Sequence, residues 1–203
     1  MEESSPTHAD VTARRRRLRA IAVARREGLE PEVHQALTGR IEQHLDELLS
    51  DLAPHVLAFC WPHRAEPDLR RWADGWRRRM AGHQLALPVV QVELKSLVFR
   101  TWVPGEPLAV DCHGIPFPAG GNEVVPDVVL VPLNAFDSAG YRLGYGGGYF
   151  DRTLAQLRMI AVGVGFELGR VENVLPQPHD CPMNWLVTEM GVFHPHPSRS
   201  ARA

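Results

Sequence analysis

The stretch that most constrains the fold lies at residues 126–152, where an apolar run leads into a glycine-rich loop and then a helical pattern. The run DVVLVP at 127–132 is almost continuously apolar, which is typical of a strand buried on both faces of a parallel sheet. Five glycines lie within residues 140–148, and residues 149–157 have the pattern of a helix. This order predicts an α/β fold with the loop at the carboxyl end of a strand.

Other segments repeat the alternation of strands and helices. Apolar runs of strand length lie at residues 56–60, 85–90, 97–102 and 159–166. Residues 31–52 carry apolar side chains at helical spacing, and another helical segment contains Trp72 and Trp76. The neighbouring runs 85–90 and 97–102 favour an antiparallel pair. We therefore predict a single-domain, three-layer α/β/α sandwich with a mostly parallel, Rossmann-like sheet.

The helices near the N-terminus have recognisable ends. We expect a first helix capped by Asp10 or Thr12 that ends near Gly28, and a second that begins at Pro31. The second helix is predicted to turn one apolar face to the core: Val33, Leu37, Ile41, Leu45, Leu48 and Leu49. We expect residues 10–193 to form the domain, and residues 1–9 and 194–203 to be disordered.

Composition narrows the class of protein. The 203 residues, 44% of them apolar, are enough for one sizeable core. A net charge of −2 argues against a nucleic-acid partner, and no apolar segment is long enough to predict a membrane span or a secretion signal. Cys60, Cys112 and Cys181 have neither disulfide-framework nor zinc spacing. We expect a monomeric cytoplasmic protein with reduced thiols.

The glycine-rich loop has the chemistry of an anion site. Glycines allow backbone N–H groups to close on a ligand, and the following helix adds a favourable dipole and free N–H groups. Arg142 supplies a cation, and Asp151 can bind the magnesium that accompanies a polyphosphate. The letters match neither of the two familiar phosphate-binding loops. The alternative is a glycine-rich hairpin or a flexible active-site lid that binds no nucleotide, with Asp151 serving only the helix dipole.

The sequence RLGYGGGYFDR at 142–152 resembles the signature of 5-formyltetrahydrofolate cyclo-ligases, which usually read RLGYGGGYYDR. The resemblance extends from the basic segment near Arg15 to VTEMGV near residue 190. It implies ATP-dependent cyclisation of 5-formyltetrahydrofolate to 5,10-methenyltetrahydrofolate, with release of ADP and phosphate. ATP and Mg²⁺ are the implied cofactors, and the folate, with or without a polyglutamate tail, is the implied substrate.

The resemblance also implies roles for individual residues. The family's K-x-x-L-R motif is matched by Arg15, Leu18 and Arg19. The implied ATP-binding residues are Arg15, Arg19, Arg142, Leu143, Gly144, Tyr145, Gly146, Gly147, Gly148, Tyr149 and Phe150. Arg142 and Tyr149 are also the implied catalytic residues.

Folate and metal ligands are implied outside the loop. Glu66 in WPHRAEPDLRRW matches the family's folate-binding glutamate, and Tyr149 is expected to contact the folate as well. A carboxylate suits a pterin, which presents an amino group beside a ring N–H. Capping of the following helix is the alternative role for Glu66. Asp180 in PQPHDCPMNWLVTEMGV is the implied partner of Asp151 in holding magnesium, whereas His179 is expected to be structural.

Three positions depart from the family pattern. Arg15 replaces lysine, Phe150 replaces the second tyrosine of the loop, and Phe117 stands where glutamate is common. Phe117 is expected either to pack or to form a wall of the pocket. These changes leave open a paralogue with another ligand. A nucleic-acid-binding protein that uses the arginine run 14–17 is a weaker alternative.

Overall fold

The computed structural model describes residues 7–91, 93 and 95–195. The helices are α1 (His8–Glu27), α2 (Pro31–Leu52), α3 (Arg70–Arg78) and α4 (Tyr149–Gln156), with a short 3-10 helix at Glu167–Gly169. The first six strands are β1 (Val56–Ala58), β2 (Gln84–Gln91), β3 (Ser96–Trp102), β4 (Leu108–Val110), β5 (Pro116–Pro118) and β6 (Glu123–Val124). The others are β7 (Val128–Pro132), β8 (Ala135–Phe136), β9 (Arg142–Leu143), β10 (Ile160–Val164), β11 (Trp185–Thr188) and β12 (Gly191–Phe193).

Eight strands form one sheet in the order β12-β11-β10-β7-β1-β2-β3-β6. The five central strands, from β11 to β2, are parallel, whereas β12 and β3 join the two sides in antiparallel register. This arrangement confirms the predicted mostly parallel sheet and the antiparallel pair β2–β3. The chain proceeds from β1 to β2 in one direction and from β7 to β10 in the other, so β1 and β7 flank a topological switch point.

Helices cover both faces of the sheet. The crossover from β1 to β2 contains α3, which packs with α2 on one face through side chains that include Leu45 and Trp76. The crossover from β7 to β10 runs in the opposite direction and contains α4, which packs on the other face. Crossovers of one hand in opposite directions put their helices on opposite faces. The three-layer sandwich is therefore confirmed, although Val33 of the predicted apolar face of α2 is exposed.

Helix α1 begins earlier than predicted. Thr7, rather than Asp10 or Thr12, is the N-cap, and Asp10 completes a capping box by accepting a hydrogen bond from the Thr7 N–H. Residues 8 and 9 are thus helical, and the predicted disorder at 1–6 lies outside the described residues. A Thr-x-x-Asp spacing was available in the sequence as the signal for this earlier start.

A hairpin separates β7 from the glycine-rich loop, which the sequence had predicted to follow that strand directly. Strands β8 and β9 pair antiparallel. Their turn is held by Asp137, whose Oδ1 accepts hydrogen bonds from the N–H groups of Ala139 and Tyr141. Gly140 belongs to this turn and has φ +88°. Asp turns of this kind compete with a regular strand, and here one folds residues 133–143 back on themselves.

The described part of the C-terminal tail is packed, contrary to the predicted disorder at 194–195. The ring of His194 meets Trp185 edge to face at 4.7 Å between centroids, and Pro195 is buried against Gly140. The rest of the predicted disordered tail, 196–203, lies outside the described residues. Among the described helices, none combines the length and the hydropathy needed to cross a membrane.

Candidate active site

A cavity of about 660 Å³ opens at the carboxyl ends of β1, β2 and β7, beside the topological switch point. Its volume falls within the range of small-molecule sites. Its apolar wall includes Trp61, which follows β1, and Pro132, which ends β7. Nearly all predicted site residues line it: Arg15, Arg19, Glu66, Arg142, Gly144, Tyr145, Gly146, Gly147, Gly148, Tyr149, Phe150, Asp151 and Asp180.

Two predicted positions do not line this cavity. The Leu143 side chain is buried in a small core with Ala22 and Val174, and the Leu143 carbonyl accepts a hydrogen bond from the Asn134 N–H. Its side chain therefore supports the β8–β9 hairpin, because the alternation of β9 turns Arg142 to the cavity and Leu143 to the core. Phe117 pairs with Ala109 across β4–β5 and is half-buried, so it is a packing residue rather than a pocket wall.

Helix α1 supplies a stripe of arginines. Arg15, Arg19 and Arg26 are spaced by four and seven residues, so they lie on one helical face. Arg19 Nε donates a hydrogen bond to the Gly144 carbonyl at 2.5 Å. Burial, followed by repulsion from Arg15, lowers the pKa of Arg19. Among the described residues, neither Arg16 nor Arg19 forms an ion pair, and both line the cavity.

The glycine-rich loop turns its carbonyls onto arginines. The Gly147 carbonyl accepts a hydrogen bond from Arg152 at 2.5 Å, as Gly144 does from Arg19. Gly146 and Gly148 have φ +101° and +66°, whereas Gly144 and Gly147 do not have positive φ. The arginines thus bind carbonyl groups of the loop. The backbone N–H groups of the loop and of the first turn of α4 remain able to donate to an anion.

Close approach is the reason for glycine at position 147. A Cβ there would lie 2.5 Å from the Tyr149 ring. The Tyr149 hydroxyl lies 3.3 Å from Nε2 of His113, in the connection between β4 and β5. Phe150 packs below the loop, with the Arg142 guanidinium 5.9 Å from its ring centre. Phe150 therefore keeps an aromatic face for a cation–π contact to a site residue, a contact that needs no hydroxyl.

Arg142 and Asp151 form one buried ion pair. Arg142 Nη1 donates to Asp151 Oδ1 at 2.9 Å, and the Cys181 N–H donates to the same oxygen at 3.1 Å. The arginine side chain is 4% exposed and the carboxylate 15%. Both hydrogen bonds that Asp151 accepts through its side chain within the described residues use Oδ1, so Oδ2 can bind another group.

Arg15 and Asp180 form a second pair. Arg15 makes two hydrogen bonds to the carboxylate, at 2.5 and 3.2 Å, and a third to the Leu175 carbonyl at 2.8 Å. Leu175 has φ +58°, and Arg15 secures this left-handed turn. Burial raises the pKa of Asp180, but the bonds from Arg15 and the Gln177 N–H outweigh it, so the pKa is lowered overall. The two terminal nitrogens of the planar arginine fork grip both oxygens of the carboxylate at once, a geometry that the single nitrogen of lysine cannot reproduce.

Glu66 is a deeply buried carboxylate at the cavity, with a side chain that is 6% exposed. It follows a turn in which Arg64 and Ala65 both have positive φ, and its Oε2 accepts the His63 N–H at 3.1 Å. The Tyr145 hydroxyl donates to Glu66 Oε1 at 2.8 Å. Burial raises the pKa of Glu66, and Arg26 and these hydrogen bonds offset part of the rise. Because α3 has Leu69 as its N-cap, the alternative capping role of Glu66 is wrong.

The aspartates do not form a dense metal cluster. Among residues 7–91, 93 and 95–195, no three His, Cys, Asp or Glu side chains group as ligands of one ion. Asp151 and Asp180 are nevertheless close in space, since Cys181, next to Asp180, donates its N–H to Asp151. At a phosphate site Mg²⁺ usually binds only one or two protein carboxylates, because water and phosphate oxygens fill the other coordination positions.

Several cavity residues were not predicted. Arg26 does not line the cavity but is buried below it; it lies at the helical spacing of Arg15 and Arg19, and this periodicity was the signal that could have found it. His113 lies at the tip of the β4–β5 connection, where neither periodicity nor a motif marks it. Trp61, Pro88 and Val90 end or follow strands β1 and β2, and are brought to the cavity by the strand order alone.

A sequence model of the 5-formyltetrahydrofolate cyclo-ligase family matches residues 11–189. The chain belongs to this family. The 5-formyltetrahydrofolate cyclo-ligase of Escherichia coli K12 is 29% identical over 179 residues, which are 83% of this chain and 97% of that cyclo-ligase. The one from Haemophilus influenzae is 34% identical over 113 residues, which are 51% of this chain and 60% of the relative.

Solved structures agree with this family. The NMR structure of Aquifex aeolicus 5,10-methenyltetrahydrofolate synthetase matches with a TM-score of 0.75 and 29% identity, covering 93% of this chain and 96% of that one. The synthetase from Mycoplasma pneumoniae matches with a TM-score of 0.68 at 21% identity, covering 86% and 98%, and so shares the fold. The segment that carries the cyclo-ligase signature, residues 142–152, contributes most of its residues to the lining of the cavity.

Proposed function

We propose that this chain catalyses the ATP-dependent cyclisation of 5-formyltetrahydrofolate to 5,10-methenyltetrahydrofolate, with release of ADP and phosphate. The observation that carries the proposal is the convergence of α1, the Glu66 turn, the glycine-rich loop and Asp180 on one cavity. These segments are far apart in sequence, and each contains residues that the cyclo-ligase signature implies. Within the arginine run 14–17 of the nucleic-acid alternative, Arg15 pairs with Asp180 and Arg16 lines the cavity, which leaves Arg14 and Arg17 for an outer surface.

The phosphates of ATP are proposed to lie against the glycine-rich loop. Arg19 and Arg16 carry the charge that is not already paired, and the N–H groups of the loop and of the first turn of α4 face the same space. Arg142 is proposed to contact the transferred phosphoryl group, since it is a buried guanidinium that can share its donors between Asp151 and a phosphate oxygen.

Asp151 and Asp180 are the residues that would hold Mg²⁺. The donor set fits, because each is an oxygen ligand and Asp151 keeps Oδ2 unengaged. The bound ion would neutralise charge on the phosphates. Arg142 and Arg15 balance the two carboxylates in the absence of an ion, and with an ion bound both arginines would be able to donate to phosphate oxygens.

Glu66 is proposed to bind the pterin ring. Its two oxygens can accept hydrogen bonds from the adjacent amino and N–H groups of that ring, beyond those they accept from Tyr145 and His63. Tyr149 is proposed to contact the folate beside the phosphates, because its ring covers Gly147 and its hydroxyl reaches His113. The two ligands would then meet between Glu66 and the loop.

The chemistry needs positioning more than a covalent nucleophile. The formyl oxygen attacks the γ-phosphorus as the bond to ADP breaks; N10 then attacks the formyl carbon, phosphate leaves, and N10 loses its proton. The residues of the chain hold the reacting groups in line and stabilise phosphate charge, which is where most catalysis of phosphoryl transfer arises.

We also propose that the enzyme is monomeric, acts in the cytoplasm without a membrane or nucleic-acid partner, and accepts the folate with or without a polyglutamate tail. The three cysteines are unpaired, as expected in a reducing compartment. The exposed Arg16 at the cavity would tolerate an anionic tail.

The test is the absorbance of the methenyl product in the near ultraviolet. Purified protein, 5-formyltetrahydrofolate, ATP and Mg²⁺ should give an absorbance rise that is absent when either ATP or Mg²⁺ is omitted. ADP release should match the product in amount. Tight ATP binding without any rise would instead indicate a paralogue with a different second ligand.

A further inference from the structure

Arg26 joins four separate segments of the chain below the cavity, although it lies outside every motif of the family. It is 2% exposed. Its Nε donates to the Arg64 carbonyl at 2.9 Å, and its Nη1 donates to Asn134 Oδ1 at 2.9 Å. Its Nη2 donates to the Tyr145 hydroxyl, also at 2.9 Å. A buried guanidinium with this many bonds fixes the relative position of α1, the Glu66 turn, β8 and the loop.

Two consecutive hydrogen bonds connect Arg26 to Glu66 through the Tyr145 hydroxyl. A guanidinium can only donate, so the Tyr145 oxygen accepts from Arg26 and its single proton is left for two acceptors: Glu66 Oε1 at 2.8 Å and the His63 carbonyl at 3.3 Å, of which the carboxylate is the nearer and the charged one. Arg26 Nη2 itself lies 3.9 Å from the same carboxylate oxygen. The Tyr145 hydroxyl is therefore a bridge between a cation and the carboxylate.

We propose that Arg26 is a positioning residue which, through the Tyr145 hydroxyl, holds Glu66 oriented and negatively charged for the ring N–H groups of the folate. This inference rests on the proposed function. It also changes the role of Tyr145: its hydroxyl serves the folate carboxylate, although the residue lies within the nucleotide loop.

Glu66 needs such support because of its surroundings. Burial raises the pKa of Glu66, and the groups that face it are Arg26, Tyr145, the His63 N–H and the Cys60 thiol. Burial also raises the pKa of Cys60, so that thiol is neutral, and burial and neighbouring arginines lower the pKa of the His63 ring. Arg26 is thus the cation in this group, and Tyr145 carries its effect to one oxygen.

Tyr145→Phe tests the proposal with the smallest change, since it removes one oxygen from a ring that is 42% exposed. We expect the KM for 5-formyltetrahydrofolate to rise about tenfold, the effect of losing one hydrogen bond to a charged group, with the KM for ATP nearly unchanged. Tyr141→Phe is the matched control, because Tyr141 lies in the preceding hairpin, away from the cavity, and its hydroxyl makes no hydrogen bond within the described residues.

A double-mutant cycle separates positioning from a general structural effect. If Tyr145 acts through Glu66, then Tyr145→Phe should have little further effect in a Glu66→Gln background. Calorimetric titration with the folate alone should also show that the acid limit of binding moves to higher pH in Tyr145→Phe, because the carboxylate loses a donor that favours its charged form. A purely structural role would move neither result.

Arg26→Gln should give a larger loss of folate affinity, with Arg25→Gln on the exposed side of the same turn as control. If Arg26→Gln does not fold, as judged by circular dichroism, the Tyr145 results decide. Independent effects of Tyr145→Phe and Glu66→Gln, or equal rises in both KM values, would overturn the inference. Absence of turnover in the wild-type protein would instead reject the proposed function, and the calorimetric comparison would remain as the test of Arg26.

Discussion

Two sets of charged residues line the cavity, and they are built on different principles. In the first set, the aspartates of two ion pairs, Arg142–Asp151 and Arg15–Asp180, lie 2.9 and 2.5 Å from their arginines. In the second set, Glu66 is held by a hydroxyl and a backbone N–H, with its nearest cation at 3.9 Å. When a phosphate and a cation bind together, the arginine of such a pair can turn to the phosphate and the carboxylate to the cation. Every charge then still has an opposite charge beside it. A carboxylate held by neutral donors keeps one orientation and suits a ligand of fixed shape.

This difference explains where rigidity and exchange are needed. ATP enters and ADP and phosphate leave in every cycle, so the residues around the phosphates must satisfy one another between turnovers. Arg15 and Arg142 do this for the two aspartates. The pterin ring, the proposed ligand of Glu66, keeps its hydrogen-bonding edge throughout the reaction. Glu66 can therefore be held in one orientation, at the cost of burying a carboxylate.

The largest expected effect comes from breaking the first set at Asp151. Asp151→Asn keeps the shape but removes the charge that would hold Mg²⁺, so we expect kcat to fall at least about 100-fold. Stability should fall by about 3 kcal/mol, because the amide oxygen can still accept from Arg142 and the Cys181 N–H but the buried Arg142 loses its counter-charge. Turnover at limiting and saturating Mg²⁺, together with urea unfolding, measures both.

Asp74→Asn is the matched control for this variant. Asp74 is 17% exposed and pairs with Arg77 and Arg78 on α3, away from the cavity. Its substitution should leave turnover unchanged. Unchanged turnover in Asp151→Asn as well, at limiting Mg²⁺, would remove Asp151 from the site.

The second set should respond differently. Glu66→Gln should raise the KM for the folate by about 10- to 100-fold, the effect of losing hydrogen bonds to a charged acceptor, and leave the KM for ATP within about twofold. Steady-state kinetics with each ligand varied in turn gives both values. Equal losses for folate and ATP would mean that the two sets do not serve separate ligands.

Glu66 should also leave a signature in stability against pH. Because burial raises its pKa above the ordinary 4.5, the folded protein holds this proton more tightly than the unfolded chain. Stability from this group should therefore fall as the pH rises from about 4.5 through the folded pKa, and stay lower beyond it. Glu66→Gln should lack that fall. Urea unfolding at pH 4.5 and 7.5 tests this, and parallel pH profiles for the two proteins would contradict it.

Replacing Arg15 by the lysine that is usual in the family tests how much the Arg15–Asp180 pair of the first set depends on arginine itself. Lysine can keep the charge but not the three hydrogen bonds to Asp180 and the Leu175 carbonyl, so we expect a stability loss of about 1–2 kcal/mol and a loss of turnover of severalfold. Arg70→Lys is the control, since its forked pair with Asp68 is about 40% exposed and should cost less than about 1 kcal/mol. Equal losses in both variants would show that burial of the Arg15 pair has no importance.

The sequence predicted the fold well where the signal was local. The apolar runs gave β1, β2, β3, β7 and β10 to within two residues at each end, because strands buried on both faces need continuous apolar residues, whereas the four-residue strand β11 matched no predicted run. The β8–β9 hairpin was missed, since its two-residue strands are set by the Asp137 turn rather than by a pattern. The early start of α1 was missed because a threonine cap competed with two other candidates.

The site was predictable as a set of residues but not as a set of contacts. The loop residues other than Leu143 and the two distant aspartates, which the family resemblance implies as site residues, line one cavity, whereas the pairing of Asp180 with Arg15 depends on how α1 crosses the sheet edge. Likewise, nothing local to Tyr145 indicates that its hydroxyl reaches Glu66, 79 positions away in the chain. Leu143 was assigned to the ligand because it lies within a motif, although strand alternation turns it inward.

The smallest expected effect concerns Asp180 and acid. Burial raises the pKa of this carboxyl, but the hydrogen bonds from Arg15 and the Gln177 N–H lower it further, so it lies below the ordinary 3.8 overall. The stabilisation is therefore complete above pH 3.8 and is lost as the pH falls through the folded value. Asp180→Asn should flatten the loss of stability between neutral pH and pH 3, whereas Asp74→Asn on α3 should change that slope less. The free energy of urea unfolding at pH 7, 4 and 3 measures the slope, and an unchanged slope in Asp180→Asn would mean that its pair with Arg15 adds nothing to acid resistance.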